Sequence, residues 1–447
     1  MSLKTLGIIL LVAANLPAAA PSFSRDIQPI LQKKCQGCHQ PASRMSGLDL
    51  TTFDGFSKGG TRGPAFVMER PDDSIVVRYL TATLQPRMPL GEPALPASEI
   101  ALVREWIRDG AKNDSPTETT ELRTPVYLQP PVITALRFSP DGSEIAVSGN
   151  SEVLIHGVDG TAPLRRLTGS AERILSLVYS SDGKLLIAGG GTPAQFGEVQ
   201  IWDPKSGKLL RSTRLTGDTV FGTSLSPDES KIAAGGTDNS VHVIETASGK
   251  ELYKISNHEN WVLATVFGID SKRLVSASGD RAAKLIDAAS GAFLENVNLL
   301  RGELAAIARN PKKDVVVIGG AERLPYIYLL DRPRNMKIAD DTTLVRTLER
   351  QDGAITALDW SPDGKRIAVA GAAPSVNLYD PETGEKKASC KGHEAGIYAV
   401  AFSEDSSKLA TGGFDGKVRI YSTADCALIR SFVPAPLSAG TPPGRPQ

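Results

Sequence analysis

Ser361-Pro362-Asp363-Gly364 is one of five closely similar turn sequences in this chain. The others are Ser139-Pro140-Asp141-Gly142, Ser180-Ser181-Asp182-Gly183, Ser226-Pro227-Asp228-Glu229 and Ser403-Glu404-Asp405-Ser406. Two weaker copies, Gly268-Ile269-Asp270-Ser271 and Asn310-Pro311-Lys312-Lys313, fill the gap, and successive first residues stand 41, 46, 42, 42, 51 and 42 apart. Each follows an alternating strand such as Ile397-Tyr398-Ala399-Val400-Ala401-Phe402. Each precedes a short apolar strand ending in small residues, then a third such as Val199-Gln200-Ile201-Trp202. A period of about 40–45 residues with four strands is the mark of β-propeller blades, which bury their faces only by stacking on their neighbours. Seven turns predict seven blades over residues 127–436.

A second signal lies outside the repeats, at Cys35-Gln36-Gly37-Cys38-His39. Two thiols three apart with a histidine directly after the second is the attachment pattern of a c-type haem. The cysteines form thioethers to the vinyl groups, and the histidine is then placed under the iron as its proximal ligand. With 4 Cys and 5 His in the chain, random order would give this pattern roughly 4 times in 10,000 such chains. A bare CxxC would also fit a redox dithiol or half a zinc site; the histidine favours haem.

The first twenty residues agree with that reading. Lys4, the apolar run from Leu6 to Val12 and then Pro17-Ala18-Ala19-Ala20 follow the basic, hydrophobic, small-residue order of a secretory signal. The apolar run is shorter than the about 20 residues a membrane helix needs. Haem is attached to such proteins outside the cytoplasm, so a periplasmic or otherwise exported bacterial location is expected, with residues 1–20 as signal peptide. Lys plus Arg equals Asp plus Glu at 50 each, which gives no argument for nucleic acid. Residues 22–114 hold 12 basic and 11 acidic residues, so strong electrostatic docking is not expected either.

Residues 22–114 read as helical with long loops. Phe23, Ile27, Ile30 and Leu31 have helical spacing, with a helix beginning near Pro29. A second helix is expected after Asp72-Asp73-Ser74, and a third from Pro96 through Ile100, Val103, Trp106 and Ile107 to Gly110. His39 is the only histidine before His156, so a second histidine ligand from this segment is ruled out. The candidates for the sixth iron ligand are Met45, Met68 and Met88. Met45 is six residues from His39, which leaves little chain to reach round a haem, and Met68 is expected in the core. Met88, in the loop Arg87-Met88-Pro89 ahead of the last helix, is the preferred ligand; an open position is the alternative.

Phe23…Ile27-Gln28-Pro29-Ile30-Leu31…Cys35-Gln36-Gly37-Cys38-His39, then Met88-Pro89, then Trp106-Ile107…Gly110-Ala111, resembles the class I cytochrome c fold. In detail it looks like the planctomycete-type cytochrome c domain of exported bacterial proteins. The resemblance covers about a fifth of the chain and implies a three-helix shell round one covalent haem c, with His39 and Met88 as axial ligands. Ile201-Trp202-Asp203 and Gly392-His393 are marks of WD repeats, and 131–433 resembles a WD-repeat propeller. That resemblance implies bracing triads at Ser276, Asp280 and His258, and at Thr411, Asp415 and His393, which hold turns by buried hydrogen bonds.

The expected architecture is therefore multidomain: a small all-α cytochrome c domain (22–114), a polar linker (115–126), an all-β seven-bladed WD-repeat propeller (127–436) and a flexible tail (437–447). Either 427–433 or 122–128 could supply the outer strand of the last blade. Insertions are expected at Thr192 to Gly197 and at Pro333 to Thr343, in turn types that lie on opposite propeller faces. Cys390 ends one outer strand and Cys426 begins the next, so the two are expected near opposite faces as buried free thiols.

The leading function is electron transfer by a monohaem cytochrome, with the propeller as a docking platform for a protein or peptide and a separate redox partner protein. No catalytic residue is assigned, and the chain reads as an electron carrier more readily than as an enzyme. Two alternatives remain open: a haem-based sensor or scaffold in which Met88 is displaceable, and a propeller enzyme using the cytochrome as electron conduit. The propeller has only His156, His242, His258 and His393, too few for a histidine-rich copper cluster.

Overall fold

The computed structural model describes residues 20–40, 45–114, 124–160, 162–330 and 340–438. The expected signal segment, most of the linker and tail, and most of the insertion after residue 332 lie outside the described residues. The chain divides into two compact units, Met1–Thr120 and Glu121–Gln447.

In the first unit, Ser22 caps a wide helical turn over Phe23–Ile27: its hydroxyl accepts the Arg25 N–H at 3.0 Å, while its own N–H reaches Asp26 at 2.8 Å. Helix α1 (Gln28–Lys34) follows, with Pro29 in its first turn as the sequence predicts. Helix α2 (Phe53–Lys58) was not foreseen. Thr52 caps it by accepting the Gly55 N–H at 3.0 Å, and Phe53 and Phe56 point into the core. Glycines hide it in the sequence. Gly59, at φ +74, ends it where an added Cβ would sit 2.1 Å from the Gly63 carbonyl, so only glycine fits.

Helix α3 (Ile75–Leu80) starts after Ser74, but the hydroxyl does not cap it. Ser74 Oγ donates to the Arg70 carbonyl and accepts the Val67 N–H, tying the preceding loop down. Helix α4 (Ala97–Arg108) buries Val103, Trp106 and Ile107, and Gly110 at φ +92 ends it. Its Trp106 stacks on Phe56 at 5.9 Å and meets Phe66 edge-on at 5.1 Å, and the indole N–H reaches the Lys112 carbonyl. Aromatic packing thus joins the capped turn, α2 and α4 around one core.

The second unit contains one seven-stranded sheet (136–216) and five four-stranded sheets (220–255, 262–296, 304–347, 355–391 and 397–432), every strand antiparallel to its sequence neighbours. Pro163–Tyr179 is long because it serves twice. Its first half pairs with Asn150–Gly157 and its second half with Leu186–Thr192. Neighbouring sheets share apolar clusters. The first and last do so as well, through Leu136, Phe138, Ala401 and Ile420. The opening strand of each repeat touches that of the next, and Leu136–Phe138 touches Ile397–Phe402.

The recurring turns have one chemistry. Ser139 Oγ donates to Asp141 at 2.6 Å and accepts the Glu144 N–H at 2.9 Å; Ser180, Ser226, Ser361 and Ser403 repeat the arrangement. The next position needs a left-handed backbone: Gly142, Gly183 and Gly364 supply it, and Glu229, Ser271 and Ser406 adopt it without glycine. Both expected triads form. His258 bonds Ser276 at 2.7 Å and Asp280 at 2.8 Å, and His393 bonds Thr411 at 2.7 Å and Asp415 at 3.1 Å.

Leu428–Phe432 completes the last sheet, which decides between the two closing segments; Tyr127 instead forms a parallel bridge with Leu437. The insertion near 192 is a taller hairpin in which Thr192 pairs with Phe196, and Arg214 lies 4.3 Å from the Phe196 ring centre.

The two thiols expected to be free are not. Cys390 and Cys426 form a disulfide with Cα atoms 4.8 Å apart. The reading as opposite faces treated each sheet as flat, whereas strand twist turns the outer strand away from the inner one. The turn before each outer strand therefore abuts the outer strand of the preceding sheet: Gly249 lies near Thr213, Gly291 near Tyr253 and Gly384 near Arg346. Cys426, at φ +59, stands where those turns have glycine. Closing a 36-residue separation should stabilise the unit by roughly 4 kcal/mol. Cys390→Ala should accordingly lower the urea midpoint. In that background Cys426→Gly should be more stable than Cys426→Ala by about 1 kcal/mol, because glycine relieves the left-handed backbone. Equal stabilities would contradict this account of the turn.

Candidate functional site

Helix α1 delivers the Cys35–His39 segment. Cys35 caps its C-terminus, with its N–H on the Leu31 carbonyl at 2.8 Å. The chain then turns back: the N–H groups of Cys38 and His39 both reach the Cys35 carbonyl, at 3.2 and 3.0 Å. Gln36 fastens the turn by donating its side-chain amide to the Leu50 carbonyl at 2.9 Å, and the Leu50 N–H reaches the His39 carbonyl. The two thiols and the imidazole are thus held on one short turn whose geometry is fixed by backbone hydrogen bonds.

His39 Nδ1 lies 3.1 Å from the Met45 carbonyl oxygen. A carbonyl only accepts, so Nδ1 carries a proton, and in the neutral imidazole Nε2 then keeps its lone pair. That is the tautomer and second contact that metal-binding histidines adopt. Met45 therefore acts through its backbone; its side chain is 53 % exposed. Its signal in the sequence was only proximity to His39, and the role of its carbonyl was not legible there.

Neither Cys35 nor Cys38 is in a disulfide; the first is half-buried against the core and the second exposed. Burial pushes the Cys35 thiol up to about 11, and the neighbouring Glu92, Cys38 and Glu99 act in the same direction. Catalytic dithiols need the reverse, a thiol lowered toward neutrality. The environment therefore argues against a redox dithiol.

Met88 lies apart in sequence, in the segment between α3 and α4. Its N–H reaches the Tyr79 carbonyl at 3.2 Å, and its side chain is half-buried. Met68, expected in the core, is 56 % exposed. It sits in a turn whose backbone is held from outside, the Glu69 N–H being on the Ile107 carbonyl. Of the three methionines, Met88 alone is shielded from solvent to that degree.

In the second unit each histidine has a protein partner. His156 Nε2 bonds the Pro434 carbonyl, and His242 bonds Asp238 and Glu251. His258 and His393 serve the turns described above. Among the described residues no helix is long and apolar enough to cross a membrane.

Comparison with known families agrees with both parts. The planctomycete cytochrome C family model matches residues 35–89, from Cys35 through Pro89. The WD domain, G-beta repeat, matches 249–287, 342–380 and 384–422. WD repeat-containing protein 1 of Xenopus tropicalis is 38 % identical over 81 residues, 17 % of this chain and 13 % of that protein. U3 small nucleolar RNA-associated protein 15 of Schizosaccharomyces pombe is 25 % identical over 304 residues, 67 % of this chain and 50 % of that protein. Autophagy-related protein 16 of Arabidopsis thaliana is 25 % identical over 285 residues, or 62 % and 53 %. The chain thus spans at most about half the length of these relatives. WD repeats generally serve as protein-interaction platforms, which is the coarse role these matches support.

In haem-free protein at pH 8, the thiolate fraction of Cys35 should be on the order of one in a thousand. Iodoacetamide should therefore label exposed Cys38 at least about tenfold faster than Cys35. Peptide mass spectrometry reads the order, and faster labelling of Cys35 would contradict the burial described.

Proposed function

We propose that this chain is an exported electron-transfer protein in which one domain carries a single haem c and a second, seven-bladed propeller domain docks a partner protein. The observation that carries the proposal is the His39 Nδ1 contact with the Met45 carbonyl, which orients the imidazole on the same turn as two correctly spaced thiols outside any disulfide. These residues fit the group. Cys35 and Cys38 would hold it by thioethers, His39 would be the proximal ligand and Met88 the second axial ligand. When bound, a haem c supplies a one-electron iron couple.

The chain's own residues do the rest. Gln36 and the Leu50 N–H keep the attachment turn in place. The Met45 carbonyl fixes the imidazole tautomer. The aromatic cluster of Phe23, Phe53, Phe56, Phe66 and Trp106 gives a rigid apolar wall, and a low-dielectric surrounding limits charge reorganisation when the iron changes oxidation state. With His39 and Met88 both holding the group, no position would be left for substrate, which favours electron exchange over catalysis.

The two halves of Pro163–Tyr179 pair with different neighbours, which supports reading the seven-stranded sheet as two four-stranded blades and hence seven blades in all; the contact of Leu136–Phe138 with Ile397–Phe402 supports a closed ring. Such a platform suits a protein or peptide partner; the redox partner is a separate proposal. The Cys390–Cys426 disulfide favours an oxidising compartment and thus export.

Expression with haem-maturation machinery should give a polypeptide that keeps haem stain through denaturing electrophoresis, and Cys35→Ser with Cys38→Ser should lose it. Stain retained in the double variant would refute covalent attachment. Met88→Ala should turn the iron toward high spin and open it to carbon monoxide, while Met68→Ala should not. Ready carbon monoxide binding by the wild type would favour a sensor instead.

A further inference from the structure

Three inner strands bring Arg137, Arg309 and Asp359 together where the sheets of the second unit converge. Arg137 Nη1 lies 3.3 Å from both carboxylate oxygens of Asp359, although 222 residues separate them. The sheet 397–432 stands between their two sheets, so the pair reaches across the space enclosed by the inner strands. Asp359 Oδ2 also accepts the Phe402 N–H at 2.9 Å, which pins the carboxylate in place. Arg309, on the neighbouring strand Leu304–Arg309, is half-buried, and its guanidinium makes no hydrogen bond or ion pair among the described residues. Burial, and then the like charge of Arg137, push its pKa down.

Packing does not call for these arginines. The position of Arg309, just before the recurring turn, holds Phe138, Tyr179, Leu225, Phe267, Trp360 and Phe402 in the other repeats. The position of Arg137 holds Val178, Ser224, Val266, Ala308 and Ala401 in five of them, and Asp359 in the sixth. A guanidinium keeps its proton in proteins, so Arg309 cannot escape its surroundings by neutralising. One carboxylate, already shared with Arg137 and a backbone N–H, leaves the cluster of two arginines with one positive charge uncompensated.

We propose that Arg137 and Arg309 form a binding site for a small oxyanion, a phosphate or carboxylate group, inside the ring of inner strands. Planar guanidinium forks match the paired oxygens of both groups, and partial burial strengthens such contacts relative to open water. Asp359 is a positioning residue that holds Arg137 at the site. The site lies in the repeat unit and is independent of haem attachment.

Titration calorimetry of the full chain with inorganic phosphate, and separately with succinate at the same ionic strength, tests this. One saturable site per chain is expected, and the tighter anion distinguishes a phosphoryl from a carboxylate ligand. Arg309→Phe, which restores the aromatic found in other repeats, should weaken binding at least about tenfold. If that variant does not fold, Arg137→Ser, with the residue of another repeat, carries the same comparison. Absence of saturable heat with both anions, or binding unchanged in the folded variant, would overturn the site.

Discussion

One hydrogen bond, from His39 Nδ1–H to the Met45 carbonyl, sets what the N-terminal unit can do. It fixes the imidazole as the tautomer with a free Nε2, and the turn that provides it also carries both thiols. That turn holds because α1 ends at Cys35 and because Gln36 and Leu50 close the loop behind it. The carbonyl contact orients the imidazole, while the backbone of the turn itself places the two thiols.

The repeat unit is governed by a different economy of contacts. Each sheet is too small to bury both faces and relies on its neighbours, so the serine–aspartate turns and histidine triads fix local geometry while apolar clusters join sheet to sheet. The ends of the repeat unit meet by other means than its middle. Tyr127 and Leu437 pair in parallel, Tyr127 Oη donates to buried Glu152, and Arg166 neutralises that carboxylate. The disulfide then joins the last sheet to its predecessor, at the same interface that elsewhere is filled by a glycine turn.

Periodic features were legible in the sequence. The recurring Ser-x-Asp turns located the strands, and Pro29, Pro96 and Gly110 located helix ends, since each residue acts through its own backbone chemistry. What was not legible depended on three-dimensional approach. Helix α2 was concealed by the glycines that allow its tight exit, and the position of Met68 just ahead of α3 suggested core packing that its exposed turn does not provide. Cys390 and Cys426 were set on opposite faces because strand twist, which brings them together, leaves no mark in residue spacing. Cys35, Cys38 and His39 were readable because their chemistry is local. The Met45 carbonyl was not, since any residue could have supplied it.

Electron transfer through a six-coordinate haem is the central claim, and potentiometry with simultaneous optical spectroscopy on the purified full chain tests it most directly. The account predicts a single reversible one-electron transition, one iron per chain, and low-spin spectra in both oxidation states. Iron that becomes five-coordinate on reduction, or a second redox centre titrating in the same protein, would contradict it.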